Sequence, residues 1–347
     1  MESLVAAPAS IRRKIIIDTD CGTDDAQAIL LALAEPTVDV IALTCVGGNT
    51  VLDNVCKNTA KVLTVTDRRD VLVYRGCAAP LIGNAESANF YHGHDGLGDC
   101  DPHVYPDVEV RLQPEPAAVG LINLAKRYPK ECTLVCLGPL TNVALAMKLD
   151  AEFTQNLKEL VIMGGNHEGQ GNHSASGEFN FYYDPEAASI VLSGAECPVT
   201  TVGWEVCLMP ENQFKSEWLD KFYNTNEQPT PQGHFLHRIH ERVIEYLRSK
   251  HVENPENMAM TMCDEWAVAV CIDPSICRRS QIWPTRVELS GKYTRGQCVV
   301  DKRNYCLPAE GKRNVRHVLS LDIEKMKERL ITMSQLKAFP RPFKSSE

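Results

Sequence analysis

Four times between residues 14 and 194 a short apolar run rich in β-branched residues ends in Asp, Gly or Asn and is followed by a segment of helical periodicity. The pairs are KIIID before AQAILLALA, VDVIALTCV before NVCKNTAKVLTVT, ECTLVCLG before LTNVALAMK, and LKELVIMGG before DPEAASIVLSG. Strands that alternate with helices pair in parallel, so the expected fold is an open, mainly parallel α/β sheet with helices on both faces. Ligands of such sheets bind at the carboxyl ends of the strands, which directs attention to positions 18–25, 47–49, 137–142 and 164–180. The polar, Pro-containing stretch 225–260 around the helical HFLHRIHERVIEYLRSK reads as a cap or lid. No repeat or linker divides the 347 residues, and one catalytic domain over 1–347 is expected.

The first strand ends in an unusual way. Asp18, Asp20, Asp24 and Asp25 all fall at one strand-to-helix junction. Two unit charges about 4 Å apart repel by roughly 1 to 4 kcal/mol between water and protein surface, so the cluster needs a counter-charge. Helix-dipole stabilisation explains an Asp pair at a helix start but not four acids closing a buried strand. An all-oxygen set without a nearby His or Cys pair points to calcium or magnesium rather than zinc. An EF-hand is excluded, because counting from Asp18 the glycine, Gly22, comes one place early and the twelfth position is Ile29. A haloacid-dehalogenase-type phosphatase, with Asp18 as nucleophile and magnesium, stays open on this segment alone but leaves Asp24 and Asp25 without a role.

Composition excludes several other classes. A net charge of -9 disfavours nucleic acid, whose phosphates need clustered Lys and Arg. No apolar run nears the roughly 18 residues of a membrane span, and the N-terminus lacks the apolar region of a secretion signal. The 14 cysteines contain no C-x-x-C pair and suit a reducing, cytoplasmic setting. A sequon at Asn172-His173-Ser174 falls where an active-site loop is expected, so a glycan there would block entry.

The run DTDCGTDDAQAI resembles the D-x-D-x-G-x-D-D-A-x-A-I signature of the inosine-uridine-preferring nucleoside hydrolases. Further matches follow in order: VGGN to Asn49, LGPLTN at 137–142, VIMGG at 161–165, GN-x5-EFN at 171–180 with DPEAA after it, MCDEWAVA around Asp264, and TRGQCVVD at 294–301. The resemblance spans roughly residues 14–335 and implies hydrolysis of the N-glycosidic bond of a small ribonucleoside by a homodimer or homotetramer. It also implies calcium held by Asp20, Asp25, Asp264 and the Leu137 carbonyl, with the ribose hydroxyls and a water completing the shell. Asp20 is the implied general base, Asp24 the partner of the ribose hydroxyls, and Asn49, Asn172, Glu178 and Asn180 the holders of the rest of the sugar.

Met163 and Phe179 join this substrate set. Departure of the base builds an oxocarbenium-like ribose, which carboxylates and amide oxygens stabilise. If residues 178–180 are extended, Glu178 and Asn180 share one side and Phe179 points elsewhere. A ribose-binding protein without catalysis is the second alternative, and retention of Asp20, Asp24, Asp25 and Asp264 together argues against it.

The leaving-group end departs from the pattern. Where one branch of the family has a His before the last metal-binding Asp, this chain has Cys263, and a thiol is a weak donor. Another branch stacks the base between tryptophans, which Cys263 does not match either. His92 in YHGHDGLG is the favoured candidate for activating the base, with His94, His237 and His240 behind it. Trp204-Glu205 replaces the commoner Leu-Asp or similar pair, and the sequence assigns it no role; Trp266 reads as core.

Overall fold

In the computed structural model, the described residues are 12–84, 87–100, 108–224, 226–227, 229–303 and 315–342. In chain order the strands are β1 (Arg13–Thr19), β2 (Val38–Cys45), β3 (Leu72–Arg75), β4 (Cys132–Cys136), β5 (Glu159–Met163), β6 (Val199–Val202), β7 (Phe214–Lys215), β8 (Ala259–Met260), β9 (Cys277–Trp283), β10 (Thr285–Val287), β11 (Cys298–Val300) and β12 (Val315–Leu321). Eight form one sheet in the order β3-β2-β1-β4-β5-β6-β12-β9, and β7-β8 and β10-β11 are separate two-stranded pairs. Every neighbouring pair in the large sheet is parallel except β12 with β9.

Alternation along the central strands sends side chains into two cores. Ile15 and Ile17 of β1, Val135 of β4, and Val161 and Met163 of β5 enter one. Ile16, Leu134, Cys136, Leu160 and Ile162 enter the other. Helices Thr23–Ala34 and Asp264–Ile272 pack together on the first face, which brings the start of the second helix beside the acids after β1. Trp266 is fully buried there, as expected of a core residue.

The strand order reverses between β1 and β4, and that switch point opens the crevice in which the loops after the two strands meet. Asp184 reinforces it as the cap of helix Pro185–Gly194. One of its oxygens accepts from Ala187 N, and the other from Thr141 Oγ1 and Leu81 N.

The expected lid needs correcting. Helix Pro231–Lys250 buries Phe235, Leu236, Ile239, Val243 and Ile244 in the first core, so one face of it is a layer of the fold rather than a detached cover. No helix among the described residues is long and apolar enough to cross a membrane.

Candidate active site

After β1 the chain turns sharply, with Cys21 at φ 27, a left-handed conformation that a non-glycine residue holds only under constraint. The turn leads into helix Thr23–Ala34, whose first residues carry Asp24 and Asp25. Asp25 is completely buried. It accepts hydrogen bonds from Thr19 Oγ1, from Gly22 N at 2.8 Å and from Asn49 Nδ2 at 3.0 Å. The bond to Gly22 is the carboxylate half of a capping box, so the group that starts the helix also belongs to the acid cluster.

Asp20 Oδ2 accepts from Asn49 N at 2.8 Å, while its Oδ1 is buried with no hydrogen-bond partner. The backbone after β2 can come this close because position 48 is glycine; a Cβ there would lie 2.1 Å from Asp20 Oδ2. Asp264 enters from the first residue of its helix, and Asp24, Asp25 and Asp264 each offer an oxygen within 4.8 Å of the others. Burial, and then the charge of Asp25, raise the pKa values of Asp20 and Asp264 far above the usual carboxylate range. Burial alone pushes Asp24 up to about 6. A hard cation relieves both the desolvation and the repulsion, and the all-oxygen donors and the orphaned Asp20 Oδ1 fit one.

Asp24 and Asp264 line a cavity of about 320 Å³, within the range of small-molecule sites, and Asp20 and Asp25 are buried behind its wall. Its walls include Asp24, Asn49, His92, Leu137, Met163, Asn172, Glu178, Phe179, Asn180, Cys263 and Asp264. The expected residues therefore converge. Two details differ from expectation. Glu178 is the N-cap of helix Phe179–Tyr183, accepting from Asn180 N, Phe181 N and, from outside the helix, Gly165 N, so the segment is a helix start and not extended. Phe179 accordingly lines the cavity instead of pointing elsewhere. Burial lifts the Glu178 carboxyl to about 7 against the pull of those amides.

Asn180 Nδ2 donates to the carbonyls of Leu137 at 2.7 Å and Met163 at 3.2 Å, which leaves its amide oxygen for other partners. Asp18 is fully buried, holds Thr44 Oγ1 and Asn142 Nδ2, and is absent from the cavity wall. Both of those bonds fall on Oδ1 and tie Asp18 to β2 and to the helix after β4.

A family model described as inosine-uridine preferring nucleoside hydrolase matches residues 15–328. The chain belongs to this family. The inosine-uridine preferring nucleoside hydrolase of Crithidia fasciculata is 34% identical over 90% of this chain and 94% of its own. The pyrimidine-specific ribonucleoside hydrolase of Citrobacter koseri is 33% identical over 83% of this chain and 88% of its own. A solved inosine-guanosine nucleoside hydrolase superposes with a TM-score of 0.84 at 33% identity, covering 94% of this chain and 100% of that one. This nucleoside hydrolase is thus an enzyme that hydrolyses the N-glycosidic bond of ribonucleosides.

The other lining residues of the nucleoside hydrolase cavity are mostly apolar or aromatic: Ala88, Tyr91, His173, Trp204, Leu247, Ala259 and Thr261. Of the histidine candidates only His92 reaches the cavity. Its Nδ1 lies 3.3 Å from Thr23 N and 3.7 Å from Asp24 Oδ1, and burial lowers its pKa to about 4. Gly22 makes room for it: a Cβ would sit 2.7 Å from both His92 Nδ1 and Asn49 Nδ2. His94 is exposed, His237 Nδ1 is bonded to the Tyr223 carbonyl, and His240 Nδ1 is bonded to the Leu236 carbonyl inside the core.

Cys263 lines the cavity as a protonated thiol, its pKa raised by its contact with Cys207 and by burial. Sequence reasoning missed Tyr91, Trp204, Leu247 and Thr261 as wall residues. Only Trp204 carried a signal, as a departure from the family pattern.

Proposed function

We propose that this enzyme holds calcium among its buried acids and cleaves ribonucleosides with Asp20 as general base. The observation that carries the reading is Asp20 Oδ1, buried and unpaired on a carboxylate that feels the charges of Asp25, Asp24 and Asp264. Asp20, Asp25, Asp264 and the Leu137 carbonyl would hold the cation, with Asp24 at its edge toward the ribose. Calcium is favoured over magnesium because it accepts many oxygen ligands in irregular geometry. When bound, such a cation supplies acidification of a water and a grip on the sugar diol.

The chain's own residues do the rest. Asp20 Oδ1 accepts the proton of the attacking water, whose oxygen joins the anomeric carbon as the carbon–nitrogen bond to the base breaks. Glu178 and the free amide oxygen of Asn180 face the positive charge that develops on the ribose, and Met163 and Phe179 exclude water around it. Asn49 and Asn172 hold the sugar from the two loops that flank it. His92 stays neutral. With Nδ1 accepting from Thr23 N, its Nε2 carries the hydrogen and is the donor for the departing base, with Cys263 contributing weakly.

The enzyme works as one catalytic domain in a homodimer or homotetramer in the cytosol. A sheet drawing strands from Arg13 to Leu321 supports the single domain, and the free state of every described cysteine suits a reducing compartment. Sedimentation velocity reads the assembly state. Since the similar proteins are named for purine and for pyrimidine nucleosides, the deciding assay is reducing-sugar release from inosine, adenosine, uridine and cytidine, before and after chelation. Turnover is expected to vanish with the chelator and to return with calcium and not with magnesium. Full turnover in chelated, metal-free protein would overturn the reading.

A further inference from the structure

The cavity's sugar side depends on a long segment, residues 164–178, which joins β5 to the Glu178-capped helix without regular structure of its own. Five of its residues, at 164, 165, 169, 171 and 177, are glycine, so the chain is free to leave the geometry that brings Asn172 to the cavity. Asn166 ties part of it together, its Nδ2 donating to the Gln170 and Ser176 carbonyls while its Oδ1 accepts from Cys298 N.

Three amides of the 167–170 turn are gathered by Glu205. Its Oε1 accepts from Glu168 N at 2.9 Å and Gln170 N at 3.2 Å, and its Oε2 accepts from His167 N at 3.0 Å with His167 Nδ1 at 3.3 Å. At 5% exposed this carboxylate sits in a concavity of backbone N–H groups, an anion cradle filled by the protein itself. The neighbouring residue is the other half of the arrangement. Trp204 lines the cavity, and its backbone N–H donates to the Gly165 carbonyl at 3.0 Å. Consecutive residues at the start of helix Trp204–Leu208 thus face opposite tasks, one indole toward the substrate and one carboxylate under the loop.

We propose that Glu205 is a positioning residue that clamps the 166–170 turn so that Asn172 and Trp204 are held together on the two sides of one nucleoside. The inference rests on the ribonucleoside reading of the cavity. It gives the Trp204-Glu205 departure a purpose: the pair joins the wall of the base end to the loop of the sugar end.

The test uses the full-length calcium-loaded enzyme and the variants Glu205→Gln and Glu205→Ala. Hydrogen–deuterium exchange is followed over 166–178, and KM and kcat are measured for inosine and uridine. Glu205→Ala is expected to speed exchange of the 167–170 amides and leave the amides of β4 and β5 unchanged. KM should rise about tenfold or more with kcat within about threefold, since the loss falls on binding. Glu205→Gln should lie between, because it keeps the shape and one acceptor while its NH2 opposes a backbone donor. It carries the test alone should Glu205→Ala fail to fold. Unchanged loop exchange overturns the clamp. So does faster exchange with an unchanged KM, or a fall confined to kcat. The exchange arm needs no turnover, so a wild-type protein that hydrolyses no ribonucleoside overturns the reading of the cavity and not the clamp.

Discussion

The two ends of the cavity are built on different principles. At the acidic end each carboxylate sits just after a strand or at the start of a helix, and backbone amides or neighbouring side chains fix its position: Asn49 N on Asp20, Gly22 N on Asp25, three amides on Glu178. On the aromatic part of the wall Tyr91, Trp204, Leu247 and Cys263 come from four separate segments. The difference teaches where chemistry and where selectivity reside. Charge must be held rigidly to stabilise a transition state, whereas a base pocket needs only shape and apolar contact.

If that division is right, effects of substitution decline from one end to the other. Asp20→Asn is expected to lower kcat by about 10² to 10⁴, the contribution of a positioned general base, in protein that keeps its circular dichroism. Glu178→Gln should follow with a fall in kcat/KM of about 10- to 100-fold, the range for a hydrogen-bonded charged group.

The Glu178 variant also has a signature in pH. Burial lifts the Glu178 carboxyl to about 7, and the ionised form is the one that stabilises a cationic ribose. Wild-type kcat/KM should therefore fall as pH drops below about 7, and the Gln variant should lose that limb. For stability the sign is opposite. The unfolded carboxyl, with its ordinary value of 4.5, gives up its proton first, so the folded state loses ground as pH rises from there to about 7. Thermal melts of Glu178→Gln should lack that part of the slope.

At the aromatic end Trp204→Leu should raise KM by about two- to tenfold, unequally for inosine and uridine, because an aromatic contact is worth only a little beyond its area. Cys263→Ala should cost least, about two- to threefold, as befits a weak donor. A Cys263→Ala loss larger than that of Glu178→Gln would break the comparison, since it would move the decisive chemistry to the base side.

The same division governs what could be read from the sequence. The acid loop was legible because Asp18 to Asp25 close a strand of continuous apolar residues, a local conflict that hydrogen bonds relieve in part and a bound cation would relieve further. The parallel sheet was legible from period and alternation. Strand β9 was not, because CRRSQIW is a polar edge strand with little of the apolar signal of its neighbours.

Helix Pro231–Lys250 was misjudged from its charged residues, although Phe235, Ile239, Val243 and their neighbours repeat at helical spacing and mark a buried face. The start of helix Phe179–Tyr183 was missed because Glu178 can cap as well as bind. Tyr91 and Leu247 were beyond reach, since nothing local to either records which residues the fold brings opposite it.

Gly22 stands where these two ends touch. With only a hydrogen on its α-carbon, the imidazole of His92 and the amide of Asn49 can share the space that a methyl group would occupy. The distance between Asn49, the proposed sugar grip, and His92, the proposed donor to the departing base, is thus set by the smallest residue in the site. Enlarging it by a single carbon would pry apart two halves that must hold one molecule at once.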